Sequence, residues 1–220
     1  MNKRVETAVL FECRTEYLMD LFEKSVFPWD MLPKIKDHIV SILVKGIDGF
    51  EKYSDNVLIG ENVIISEHAT IQGPAIIGSG TEIRPGAYIR GNVITGSKCV
   101  IGNSTEVKNS ILLDHVQIPH YNYVGDSILG NCSHMGAGSI CSNLKADRNE
   151  VIIHGDIEYK TGLRKIGGIL GDGADVGCGC VLNPGTVIGR GTSAYPLTSL
   201  RGVYPENCIV KASDVVVKRR

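Results

Sequence analysis

Aromatic side chains are scarce in this chain: Phe, Trp and Tyr make up 6% of its 220 residues, with one Trp among them. A wide core filled by rings is thereby disfavoured, and thin layers of Ile, Val and Ala remain. Neither sign of charge is in excess. With 23 Lys and Arg against 24 Asp and Glu, the net charge is −1. No general field therefore attracts nucleic acid or an anionic membrane, and any anion site must be local. No stretch of 18 apolar residues occurs and no apolar segment opens the chain. Neither a membrane span nor a secretory signal is expected, and the cytoplasm is the expected compartment. Metal-ligand clusters are missing too. Cys178 and Cys180 have no second Cys or His pair at ligand spacing, so no metal is expected. The seven cysteines are an odd number, and Cys99, Cys141 and Cys180 read as small apolar fillers.

What the chain does have is a period of six. Aliphatic residues fall at Ile59, Ile65, Ile71, Ile77, Ile83 and Ile89, skip Thr95, and resume at Ile101, Val107 and Leu113. Two later runs repeat the period, from Leu129 to Cys141 and from Leu170 to Ala194. A second series of small or β-branched residues stands two positions earlier, from Val57 and Val63 to Thr105 and Ile111. An amphipathic helix needs a period of about 3.6 and a plain strand one of about 2. A unit of one short strand plus a turn satisfies both series, because alternate strand positions share a face. The repeat predicts an all-β fold, a parallel β-helix with three units to each triangular coil. A β-sandwich would instead show alternating runs spaced about 8–12 residues apart.

Residues 1–52 lie outside the repeat and read as a short helical amino-terminal cap. Apolar residues from Val9 to Phe22 follow helical spacing. Asp30 is expected to cap a second helix with Pro33 near its start and Gly46 past its end. These helices are expected to cover the open end of the first coil, since an uncapped solenoid leaves an unpaired strand edge. Residues 53–196 form the β-helix. The register slips around 114–128, predicting a loop near Pro119 to Asp126, and residues 142–169 break the period as an insert with a candidate turn at Gly155-Asp156. Repeats are expected to end near Ala194, leaving 197–220 as a carboxy-terminal tail with a solvated basic end.

A β-helix is scaffold, so chemistry must be sought where residues depart from the repeat. Such departures cluster in "RPG" (84–86), "EVKNS" (106–110), "PHYNYVGD" (119–126) and "MGAGSICSN" (135–143). They bring Arg84, Lys108, His120, Tyr123 and Asn143 within a few coils, with His120 expected on an outward corner. An imidazole, whose unperturbed pKa is about 6.5, suits removal of a proton near neutral pH. Arg and Lys suit a phosphate.

These segments, with "TGLRKIGGILGD" (161–172), resemble the acetyltransferase domain of the bifunctional UDP-N-acetylglucosamine pyrophosphorylase/glucosamine-1-phosphate acetyltransferase family. They also resemble the carboxy-terminal domains of archaeal-type sugar-1-phosphate nucleotidylyltransferases. The resemblance covers roughly residues 57–195, and "PHYNYVGD" and "GAG…N" in this order are its most specific parts. It implies a left-handed β-helix and an acyltransferase that moves the acetyl group of acetyl-CoA to the amine of an amino-sugar phosphate or a nucleotide-linked amino sugar. It implies His120 as general base, Asn143 beside it, Tyr123 against the sugar phosphate, and Arg84 and Lys108 as its cationic clamp. Ala137, Cys178 and Tyr195 match the CoA side, and the cofactor is expected between neighbouring prisms of a homotrimer, with no metal, membrane or nucleic acid involved.

Departures from the family pattern are specific. His134 stands where the family has a second substrate-contacting asparagine, Cys178 replaces a serine and Pro196 an alanine. One extra hexapeptide between "RPG" and "EVKNS" makes Arg90 a rival to Arg84. The first 52 residues hold no Gly-rich, Arg/Lys-bearing phosphate loop, so uridylyl transfer is not expected of this chain. Two alternatives stay open at this point: a non-catalytic trimeric module that binds a sugar nucleotide or partners a separate nucleotidylyltransferase, and a sugar O-acetyltransferase.

Overall fold

Short strands at the predicted six-residue spacing stack into a three-sided parallel β-solenoid in the computed structural model, which describes residues 4–212 and 214–219. Each side of the prism is one sheet among these residues. Face A has nine strands, running from Phe50–Ser54 through Val57–Gly60 to Val203–Tyr204. Face B also has nine, from Ile64–Ile65 to Val215–Lys218, and face C has seven, from Thr70–Gln72 to Ser199–Leu200. In the first coils Val57 pairs with Ala75 and Ile59 with Ile77, three hexapeptides on. The two predicted series meet inside the prism as one buried core, with Ile77, Ile83 and Ile89 beside Ala75, Ala87 and Cys99. Thr95, the residue that interrupts the aliphatic series, is fully buried. Its hydroxyl accepts the Gly78 N–H at 2.8 Å, and its carbonyl accepts the Tyr17 hydroxyl at 2.7 Å.

The register differs from expectation at two places. Val93 pairs with Ser110 and Ile111 with Ile128, each one residue short of three hexapeptides. The slip therefore begins before residue 114. Ser110 and Leu112 take the inward places expected for Ile111 and Leu113, and Ile111 turns outward. The segment Pro119 to Asp126 is no loop. It contributes the strands Gln117–His120 and Tyr123–Gly125 to faces B and C, joined by a tight corner with Tyr121 at φ 52°.

The amino-terminal helices do not cover the end of the prism. Their residues lie along face A: α1 (Thr7–Leu10), α2 (Glu16–Glu23) and α3 (Ile35–Lys45) bury Leu10, Leu18, Phe22, Ile35 and Ile39 in one cluster with the outward residues Leu58, Ile76, Ile94, Ile111 and Ile128. The physical reason is in the outward column of face A, which pairs Leu58 with Ile76, Ile76 with Ile94 and Ile94 with Ile111. An apolar stripe of that length is stable only when covered, each fully buried aliphatic being worth about 1.5–3 kcal/mol. The open edge of the first coil is met by Phe50–Ser54, which pairs antiparallel with Val57–Gly60. Asp30 does not cap α3. Its carboxylate accepts the Phe27 N–H at 3.0 Å and closes the 3₁₀ turn Pro28–Asp30, while Pro33 lies in a second turn, Leu32–Lys34. Gly46 ends α3 at φ 78°, as expected.

The insert leaves face C after Cys141 and returns at Gly168 on face A. Within it Ile152–His154 and Glu158–Lys160 form an antiparallel hairpin around the expected turn. The repeat runs past Ala194, contrary to expectation: Ser199–Leu200, Val203–Tyr204 and Cys208–Ala212 extend faces C, A and B, and Val215–Lys218 closes face B antiparallel. The period hides this last coil because Val187 pairs with Val203, two residues short. Among the described residues no helix is long and apolar enough to cross a membrane.

Candidate active site

The corner between faces B and C repeats one backbone conformation on successive coils. A left-handed residue recurs there, Tyr121 at φ 52°, Gly138 at 71°, Gly179 at 67° and Leu197 at 60°. The residue before each of the first three accepts a hydrogen bond from the next coil: His120 O from Gly138 N at 3.0 Å, Ala137 O from Gly179 N at 2.8 Å, and Cys178 O from Leu197 N at 2.9 Å. His120, Ala137 and Cys178 thus stack as one column, each coil about 4.8 Å above the last. Pro196 follows in that column, with the exposed Tyr195 just before it. The corner is held from inside by Asn122, whose buried amide donates to Gly136 O at 2.9 Å and Ser139 O at 3.1 Å. His120 is exposed, and among the described residues its imidazole has no hydrogen-bond or ion-pair partner.

A second group forms at the other edge of face C, toward face A. Register pairing sets Val107 beside Val124 and Val124 beside Cys141, which brings Lys108, Asp126 and Asn143 to one edge. The Asn143 side-chain N–H donates to Tyr123 Oη at 3.2 Å and to Asp126 Oδ2. Lys108 Nζ lies 3.2 Å from the same Oδ2, and Asn109 Nδ2 donates to Asp126 Oδ1 at 2.9 Å. Burial pushes the Tyr123 hydroxyl above its ordinary pKa, and the Asp126 carboxylate adds to the effect. Gly125 leaves room for this group: a Cβ there would stand 2.5 Å from Tyr123 Oη and 2.9 Å from Asn143 Nδ2, so both side chains would have to shift.

The structure therefore brings Lys108, Tyr123 and Asn143 together and sets His120, Ala137, Cys178 and Tyr195 on or beside one corner. Face C separates the two groups within a single chain, by roughly 15 Å at about 3.3 Å per residue. Arg84 sits at the B/C corner with Glu82 at 3.0 Å. Arg90 is on face C, in the coil next to Lys108, paired with Glu106 and 5.9 Å over the Tyr88 ring. His134 is on face B, its Nδ1 2.8 Å from Asp175 and its strand paired with that residue. All three predicted cations, Arg84, Arg90 and Lys108, thus hold an acidic partner.

Two features escaped the sequence reading. Asp126 is the hub of the second group, yet its position in "VGD" marked only a turn. The other is a cleft of about 540 Å³ beside Asn143, bounded by Ser142, Leu144, Lys145, His154, Asn183 and Arg201. The insert forms one of its walls, and the broken period at 142 was the signal that pointed there. The Arg201 guanidinium makes no ion pair among the described residues. No group of His, Cys, Asp or Glu suited to a metal occurs among the described residues.

A family model for the GMPPB C-terminal domain matches residues 71–163. A bifunctional protein GlmU from Methanococcus maripaludis is 36% identical over 199 residues, covering 88% of this chain and 48% of that protein. A bifunctional sugar-1-phosphate nucleotidylyltransferase/acetyltransferase from Sulfurisphaera tokodaii is 36% identical over 97 residues, 44% of this chain and 24% of that protein. The chain spans about half the length, or less, of the curated relatives it matches. Among solved structures, a hexapeptide transferase family protein from Anaplasma phagocytophilum aligns with a TM-score of 0.48 at 16% identity, over 76% of this chain and 86% of that one.

Proposed function

This chain is a hexapeptide-repeat β-solenoid related in sequence to the bifunctional GlmU proteins, and on that premise we propose that it is an acetyl-CoA-dependent N-acetyltransferase. Its acceptor on this reading is an amino-sugar phosphate or a nucleotide-linked amino sugar. One observation carries the reading: an imidazole presented to solvent at a repeated corner, with an ordered Asn143–Tyr123–Lys108 group at the opposite edge of face C.

The chemistry follows from those groups. Neutral His120 takes a proton from the acceptor amine as its nitrogen attacks the thioester carbonyl; the C–N bond forms, the C–S bond breaks and the thiol leaves with a proton. Lys108 and Tyr123 supply a cation and a donor for the sugar phosphate. The cleft at the insert has the volume of a small-molecule site, and Lys145, His154 and Arg201 suit the phosphates of a nucleotide-bearing co-substrate. Because face C separates His120 from Asn143, both reach one acceptor only when neighbouring prisms lie side by side. A homotrimer meets that need.

The test is thiol release from acetyl-CoA across a panel of amino-sugar phosphates and nucleotide-linked amino sugars. His120→Ala is expected to lower the rate about 10²–10⁴-fold. Release unaffected by the substitution removes His120 from the mechanism, and no release with any acceptor favours a binding module. Light scattering is expected to give the mass of three chains, and a monomer would defeat the shared site.

A further inference from the structure

We propose that Asp126 is a positioning residue that fixes which atom of Asn143 faces the acceptor, and so selects an amine over a hydroxyl. The inference rests on the reading of this site as an acyl-transfer centre. Asp126 is almost fully buried, its side chain 8% exposed, and both its oxygens are engaged. Oδ1 accepts from Asn109 at 2.9 Å, and Oδ2 is shared by the Lys108 ammonium and the Asn143 amide. Lys108 and Asn109 both donate to this carboxylate, and a carboxylate in that role can only accept. Asn143 must therefore turn its NH₂ toward Asp126, not its oxygen, and the other N–H of the same nitrogen serves Tyr123 Oη at 3.2 Å. Both donors are spent inside the group.

What Asn143 offers the acceptor is then its carbonyl oxygen, which takes no donor among the described residues. The chemical consequence separates two substrate classes. A neutral primary amine carries two hydrogens: one passes to the base during attack, and the other can point at Asn143 Oδ1 throughout. A hydroxyl carries only one. Once the base takes it, the attacking oxygen presents lone pairs to the Asn143 oxygen, and a buried site punishes such a mismatch. The same oxygen also suits the N–H of the amide product.

Asp126→Asn tests this. It keeps the size of the side chain but lets the amide at 126 donate, so Asn143 is free to turn its own oxygen inward. Expected are a loss of about 100-fold in kcat/KM for an amino-sugar phosphate with KM for acetyl-CoA unchanged, and a collapse of the preference for that amine over the matching sugar hydroxyl. A variant that keeps both rate and preference overturns the proposal. A second measurement needs no variant: in natural chain carrying ¹⁵N-labelled asparagine, both Asn143 side-chain protons are expected to exchange slowly with solvent. Fast exchange overturns the assigned orientation even where Asp126→Asn does not fold. Slow exchange in a chain that transfers acetyl to nothing would instead leave the orientation standing and reject the acyl-transfer reading.

Discussion

Faces A and C are built on the same inward repeat and differ in what they turn outward. Face A presents Leu58, Ile76, Ile94 and Ile111 in paired succession, and the helices bury them. Face C presents Thr70, Tyr88, Glu106 and Tyr123 at the corresponding register, and these are left exposed or half-exposed. The inward series makes the prism. The outward series decides which side becomes a joint and which a working surface.

That contrast is most severely tested by a charge on face A. Ile94→Asp is expected to cost more than about 4 kcal/mol in urea unfolding, because it buries an unpaired carboxylate between sheet and helices. Tyr88→Asp on face C should change stability by less than about 1 kcal/mol. Equal costs for the two would show that the outward columns are not distinct. Gly125→Ala sharpens the comparison from the other side. Its methyl group would displace Tyr123 and Asn143 and is expected to lower acetyl transfer about 100-fold, with a stability loss of about 1–3 kcal/mol. Full activity in that variant would mean that the Tyr123–Asn143 contact is dispensable.

Smaller effects are expected from pH. Burial in the helical layer pushes the Cys13 thiol up to about 11, from an ordinary 9.0. The folded chain thus favours the neutral thiol, and this contribution is complete below pH 9 and lost as pH rises through 11. Tyr17, buried against face A, shifts in the same direction for the same cause. The urea midpoint should hold steady up to about pH 9 and fall above it, less steeply in Cys13→Val; a flat alkaline profile would contradict the burial of these groups. At neutral pH the exposed Cys132 and Cys178 should react with a thiol reagent well before Cys13. The smallest change is expected of Arg84→Ala, whose ion pair with Glu82 is largely open to water and should shift stability by no more than about 0.5 kcal/mol. A drop in acetyl transfer with this variant would assign Arg84 a contact that its position away from Asn143 does not provide.

Much of this is legible in the sequence. The inward residues, the three-sided coil, the insert after Cys141 and the hairpin within it all follow from residue spacing. The outward corner at His120 is read from the register slip around it, although the loop expected there is the end of the strand Gln117–His120. The error at Ile111 arose because a coil one residue short leaves two adjacent apolar residues, and hydropathy does not say which of them points in. The flank position of the helices was also readable in principle. Every third unit from Leu58 to Ile111 carries an aliphatic residue at its outward position, whereas the other two columns mix Ile64 and Val100 with Thr70, Glu82, Tyr88 and Glu106. Asp126 was not readable, since a carboxylate after glycine marks a turn far more often than a hub.

Sequence alone determined the scaffold, because a short period repeated many times makes the same demand of every coil, and local strand geometry answers it in one way. Only the tertiary structure decided which polar groups meet. Lys108, Asp126 and Asn143 lie in three successive coils, and their contact depends on the two shortened coils bringing unlike positions into register. That is a sum over the whole path of the chain, which no single segment records.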